Sequence, residues 1–223
     1  MVDLKHLGFK ANDYANPGYI GSKFRKKRFR FFEEKLRTLR KPVTILDLGG
    51  TVGFWVNENY HRKDVLVTIV NVRPEESGYP NIKVIAGDAC DLSLFENNSF
   101  DIAFSNSLIE HLYTRENQIK MANEAMRVGK YYFIQTPNRY FPIEPHFKFP
   151  FFQFFSKSIQ VFLQTKTAFI NGFRYDRGYA ENMVNEIRLL SRKEMKEFFP
   201  KSHLYVERFL GLPKSFVAYN LPN

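Results

Sequence analysis

The stretch Val43-Thr44-Ile45-Leu46-Asp47-Leu48-Gly49-Gly50-Thr51-Val52-Gly53 decides the fold. An apolar run ends in an acid, and a glycine-rich turn follows at once. A strand buried inside a parallel sheet needs the apolar run. A tight turn that lets a ligand approach the backbone needs the glycines. At such a turn backbone N–H groups face outward, and a nucleotide-like molecule fits across the strand's carboxyl end.

The same rhythm continues outward. After a short helix at 51–59, Val65–Val72 reads as a second strand rich in β-branched residues. Ile82–Ile85 is a third strand, ending at Gly87-Asp88. Phe100–Ser105 is a fourth, preceded by the turn signal Asn97-Asn98-Ser99. Ser107 to Arg127 reads as one helix. Tyr131–Gln135 is a fifth strand, stopped by Thr136-Pro137-Asn138. Strands alternating with helices imply right-handed crossovers and a parallel sheet. Glu181–Phe199 resumes helical character, with Ser191 and Glu194 in a capping-box pattern. Leu204–Phe209 and Ser215–Tyr219 read as an antiparallel pair joined by Gly211-Leu212-Pro213.

The 223 residues suit one α/β domain, read over 1–223. Its parts are an N-terminal lid and basic helix (1–41), a core (42–137), an aromatic insertion (138–180) and a closing helix and hairpin (181–223). No stretch approaches the ~18 apolar residues of a membrane span. Met1–Tyr19 is polar and does not read as a secretory signal. The one cysteine, Cys90, allows no internal disulfide and fits a reducing, cytoplasmic setting. It reads as a small buried residue.

The net charge of +10 is concentrated. Residues 23–41 carry ten Lys/Arg and two Glu, leaving only +2 for the other 204 residues. Phe29, Phe32, Leu36 and Leu39, spaced 3, 4 and 3, place an apolar stripe on this basic helix. Its outer face is either solvated or a surface for an anionic partner, whether phosphorylated substrate, nucleic acid or membrane lipid. The insertion holds ten of the 24 phenylalanines, between Phe141 and Phe173, and prolines at 142, 145 and 150 break its first half. A helix around Ser158–Ile170 fits the second half. The segment either adds core or walls a pocket.

With this rhythm in place, the chain resembles the class I S-adenosylmethionine-dependent methyltransferases, over residues 42–138 and again at 203–220. The resemblance implies a Rossmann-like α/β fold. It has a seven-stranded, mostly parallel sheet, an antiparallel last strand and helices on both faces. It implies S-adenosylmethionine as methyl donor, with S-adenosylhomocysteine as product. Asp47, Gly49, Gly50, Thr51 and Gly53 stand at the family's first cofactor motif, with Thr51 in a place usually given to glycine. The turn keeps its shape if Thr51 has φ below zero. Asn71, 18 residues beyond Gly53, stands where the family has a ribose-binding acid, and Glu75 or Glu76 could substitute. Asp88 and Ala89 match the adenine-binding positions, and Ser105 and Asn106 lie near the sulfonium.

The run Ser105-Asn106-Ser107-Leu108-Ile109-Glu110-His111, an S/N-x-x-x-x-E-H pattern, is similar to small-molecule members of the family. Thr136 to Phe147 is similar to bacterial methyltransferases of unknown or glycan-related substrate. His111, His146 and Tyr140 are the catalytic candidates. A histidine near neutral pKa suits proton removal from an acceptor, although a structural role for His111 is the alternative. Arg139 and Glu144, with Tyr14 and Tyr19 from an N-terminal lid, are candidates for acceptor binding. Lys23 or Arg28 could reach a carboxylate. The spacing shows no metal-ligand cluster, so no metal is expected.

The resulting expectation is O-methylation of a small molecule or glycan. The alternatives are an RNA- or protein-modifying methyltransferase, suggested by the basic helix, and a non-catalytic binding module, suggested by Thr51 and Asn71. The oligomeric state is not legible.

Overall fold

The computed structural model describes residues 20–60, 64–168, 170 and 172–222. The candidate lid residues Tyr14 and Tyr19 lie outside them. Strands β1 (Val43–Leu48), β2 (Val65–Asn71), β3 (Ile82–Ala86), β4 (Phe100–Asn106) and β5 (Gly129–Pro137) are parallel. A short antiparallel hairpin, β6 (Ile143–Glu144) and β7 (Phe149–Pro150), stands apart. The last strands, β8 (His203–Phe209) and β9 (Leu212–Tyr219), complete a seven-stranded sheet of order β3-β2-β1-β4-β5-β9-β8. β9 runs antiparallel to both of its neighbours. The seven-stranded sheet expected from the sequence is therefore present, with its final strand inserted antiparallel.

Strand alternation divides β1 between two cores. Leu46 and Leu48 face helix α3 (Arg115–Val128) and helix α6 (Arg192–Phe198), packing with Met121, Ala122, Ala125 and Met195. Val43 and Ile45 face the other side, with Phe104, Phe133 and Trp55 of helix α2 (Val52–Asn57). Helix α1 (Ile20–Leu36) covers that second side with Phe29, Phe32 and Leu36, all buried. Full burial of each such side chain contributes about 1.5–3 kcal/mol. Lys23, Lys26, Lys27, Arg30 and Arg37 are exposed around it, as a basic amphipathic helix requires. Among the described residues no helix is long and apolar enough to cross a membrane.

Two expectations need correction. The helix read over Ser107–Arg127 is broken, because Ser107 and Tyr113 both take left-handed φ (63° and 62°). A 3-10 turn at Ile109–His111 comes first, and Thr114 then caps α3 by accepting the Asn117 N–H. The helical stretch read at Glu181–Phe199 is two helices, α5 (Arg177–Glu186) and α6. Ser191 and Glu194 form the capping box that starts the second.

The insertion is both core and wall. Helix α4 (Lys157–Lys166) starts one residue before the range read for it and ends four residues short of it. Phe147, Phe152, Ile170, Tyr175, Met183 and Val184 form a third apolar cluster. Phe147, Phe152 and Phe155 also line a cavity of about 490 Å³, together with Arg139, Glu144 and Arg188.

Candidate active site

The strand order reverses between β1 and β4, and the crevice at the carboxyl ends there is where such sheets bind ligands. The glycine turn sits at this point. Gly49 has φ +75°, and a Cβ on it would come within 2.6 Å of the Leu108 side chain. A Cβ on Gly50 would lie 1.7 Å from Asp47 Oδ2. Both positions therefore require glycine. At Gly53 a Cβ meets no protein atom within 4 Å, so the chain's own packing does not demand glycine there. Thr51 has φ −132° and caps α2, its hydroxyl accepting the Phe54 N–H at 3.3 Å. The condition set for this threonine is met.

Asp47 is buried beneath the turn. Its Oδ2 accepts from Trp55 Nε1 at 2.7 Å, while Oδ1 has no partner among the described residues. Burial pushes its pKa up from 3.8 to about 7, against the smaller lowering effect of the Trp55 hydrogen bond. An acid that titrates higher folded than unfolded holds its proton longer in the folded state. Stability is then full below about pH 4 and declines as pH rises towards about 7. Asp47→Asn keeps an acceptor for Trp55 and removes the titration. Urea melts should show the variant gaining stability relative to the parent as pH rises from about 4 to about 7; a constant difference contradicts the raised pKa.

Asn71 does not present a free side chain to a ribose. Its Nδ2 donates to Gly50 O at 3.0 Å, and its Oδ1 accepts from Arg73 N at 3.0 Å. It braces the glycine turn from the neighbouring strand. Glu75 reaches the turn instead, accepting from Val52 N at 2.6 Å, and is exposed at its mouth. Asp88 is exposed beyond β3 and accepts the Cys90 N–H at 2.8 Å, with Ala89 buried beside it. Burial, then the nearby Asp88 charge, pushes the half-buried Cys90 thiol up to about 12.

Ser105 is fully buried, and its hydroxyl donates to Leu48 O at 3.2 Å, tying β4 to β1. Asn106 accepts from Arg28 of α1, which also donates to Glu207 Oε1 at 3.2 Å. Arg28 does reach a carboxylate, but one belonging to the chain. It fastens α1 over the carboxyl end of β4. Lys23 is exposed.

Beyond Leu108, which packs on Gly49, the fold brings together residues far apart in sequence. His111 Nε2 and His146 Nε2 face each other at 3.2 Å. His111 Nδ1 lies 3.0 Å from Glu186 Oε1, and His146 Nδ1 lies 2.7 Å from Glu144 Oε1. The other Glu144 oxygen accepts the backbone N–H groups of His146 and Phe147, both at 2.7 Å. This fixes the tip of the β6–β7 hairpin. Glu110 is fully buried, with Oε2 accepting from Thr136 Oγ1 at 3.0 Å at the end of β5. Desolvation lowers the His146 pKa, but Glu144, Glu110 and Glu186 outweigh it, so the net shift is upward.

The site residues read from sequence thus divide. His111, His146 and Glu144 come together, whereas Tyr140 is 63% exposed and stacks on Phe154 instead. Arg139 lines the aromatic cavity with Glu144. Glu186 was missed, and nothing in its surrounding sequence marks it. Glu110 was visible in the Glu-His pair but had no role assigned.

Residues 46–133 match a family model described as a methyltransferase domain. An uncharacterized protein of Mycobacterium tuberculosis is 37% identical over 60 residues, which is 27% of this chain; the match spans only 20% of that relative's length. A SAM-dependent methyltransferase from Methanosarcina mazei superposes with a TM-score of 0.50 at 15% identity, over 81% of this chain and 92% of that one. The N-terminal domain of EvdMO1, solved with SAH bound, gives 0.54 at 17% identity, over 88% and 80%. At such identities the shared property is the fold. The matched domain, and this sheet order around its glycine turn, are similar to those of the class I S-adenosylmethionine-dependent methyltransferases.

Proposed function

We propose that this chain transfers a methyl group from S-adenosylmethionine to a hydroxyl oxygen of a small molecule or glycan. The observation that carries this reading is the His111–His146 pair, with each Nδ1 held by a carboxylate. With Nδ1 donating, each ring turns a basic Nε2 towards the same point. That arrangement suits an acceptor that must lose a proton.

In the transfer, an oxygen lone pair forms the new bond to the methyl carbon. The carbon–sulfur bond breaks, and its electrons stay on sulfur as S-adenosylhomocysteine forms. The hydroxyl proton passes to an imidazole Nε2. The chain's contribution is alignment by the glycine turn and proton acceptance by the pair. The aromatic cavity beside Glu144 supplies walls for a compact acceptor.

The test is turnover of S-adenosylmethionine with a panel of sugars, phenols, amines, RNA and protein, read by mass spectrometry. Hydroxyl compounds one methyl heavier, formed with equimolar S-adenosylhomocysteine, support the reading. Methylation confined to amines, RNA or protein contradicts it.

A further inference from the structure

We propose that Glu110, His111 and His146 form a site for one divalent first-row metal ion, of the zinc or manganese type, open to an acceptor oxygen. One ligand atom from each residue falls within 4.8 Å of the others. Two imidazole nitrogens bound tetrahedrally at Zn–N lengths sit roughly 3.3 Å apart. The Nε2–Nε2 separation is 3.2 Å.

The surroundings call for a cation. With both Nδ1 atoms donating to carboxylates, the two facing Nε2 lone pairs repel unless a proton or a metal ion lies between them. Glu110 is fully buried, and its Oε1 has no hydrogen-bond partner among the described residues. An unpartnered buried carboxylate oxygen is costly, and coordination is a standard remedy. Glu110, Glu144 and Glu186, with exposures of 0%, 1% and 5%, bring three carboxylates to two imidazoles. Glu144 and Glu186 hold the outer nitrogens of the ring ligands, as the partners of metal-bound histidines do. Three protein ligands leave at least one coordination position for an incoming oxygen.

The inference rests on the methyl-transfer reading only for its use. An ion here would bind the acceptor hydroxyl and lower its pKa, and the released proton would go to water. In the metal-bound form the imidazoles would hold the ion that activates the hydroxyl, and in the metal-free form they accept its proton themselves.

The experiment titrates the whole chain, stripped with chelator, with Zn²⁺, Mn²⁺ and Co²⁺ by calorimetry in the absence of S-adenosylmethionine. Visible absorption follows the Co²⁺ form. One saturable equivalent is expected. His146→Ala and Glu110→Gln should abolish it, and Glu144→Gln should weaken it about 10–100-fold. S-adenosylhomocysteine binding by the same variants should be unchanged. Should His146→Ala fail to fold, Glu110→Gln, which can still accept from Thr136, decides alone. Saturable binding of none of the three ions overturns the site. So does binding that Glu110→Gln and His146→Ala leave intact. Metal binding without S-adenosylhomocysteine binding would uphold the site while counting against the methyl-transfer reading.

Discussion

Alanine at both His111 and His146 is expected to lower methyl-transfer turnover by about 10²–10⁴-fold, the usual contribution of a positioned base. S-adenosylhomocysteine affinity should stay as it is. The separation follows from placement. The glycine turn lies at the end of β1, while the histidines come from the 3-10 turn after β4 and from the β6–β7 hairpin. Neither ring contributes to the hydrogen bonds that shape the turn. The hairpin tip is held mainly through Glu144 and the backbone N–H groups of residues 146 and 147, which alanine preserves. Each single variant should lose less than the double variant, because the remaining ring keeps its own carboxylate partner. Full turnover in the double variant would remove the pair from the chemistry.

Gly50→Ala is expected to lose cofactor binding together with stability. Its new Cβ would fall 1.7 Å from Asp47 Oδ2, so the carboxyl must move. Moving it breaks the bond to Trp55 Nε1 in a place that water does not reach. Overpacking alone costs about 1–3 kcal/mol, and an orphaned buried donor costs roughly 1–3 kcal/mol more. Asn71 loses its geometry as well, since it donates to the carbonyl of Gly50. Gly53→Ala is the control for stability. Its Cβ meets open space, and alanine is favoured over glycine in a helix by roughly 0.5–1 kcal/mol. Urea melts and S-adenosylhomocysteine titrations of both variants check this. A Gly50→Ala chain as stable as the parent would contradict the packing described under the turn.

The strands were legible because each is a short apolar run closed by a turn residue, and the first five follow one another with the regularity of a parallel sheet. The glycine turn was legible for the same local reason. Ser107 to Arg127 misled because its helical pattern is real only from Arg115 onward. The earlier part is bent by contacts made far away: Arg188 N donates to Glu110 O at 2.7 Å, and Gln118 Nε2 donates to Ile109 O and to Arg188 O. Asn71 could be placed at the end of its strand, but its partners belong to the tertiary fold. The Glu110–His111–His146 cluster is the clearest case. Sequence spacing gave no sign of metal ligands, because 35 residues separate the two histidines. Only the β6–β7 hairpin, folding back over the end of β4, brings them together. The expectation that no metal is needed therefore rested on a premise that the fold removes.

The most direct test of the account is calorimetric titration of the purified chain with S-adenosylmethionine and S-adenosylhomocysteine. Saturable one-to-one binding of both is expected, showing that a turn with Thr51 in place of glycine and Asn71 as its brace still holds the cofactor. Absence of heat and of any thermal stabilisation by either compound, in a chain that is folded, would contradict the assignment of this site to methyl transfer.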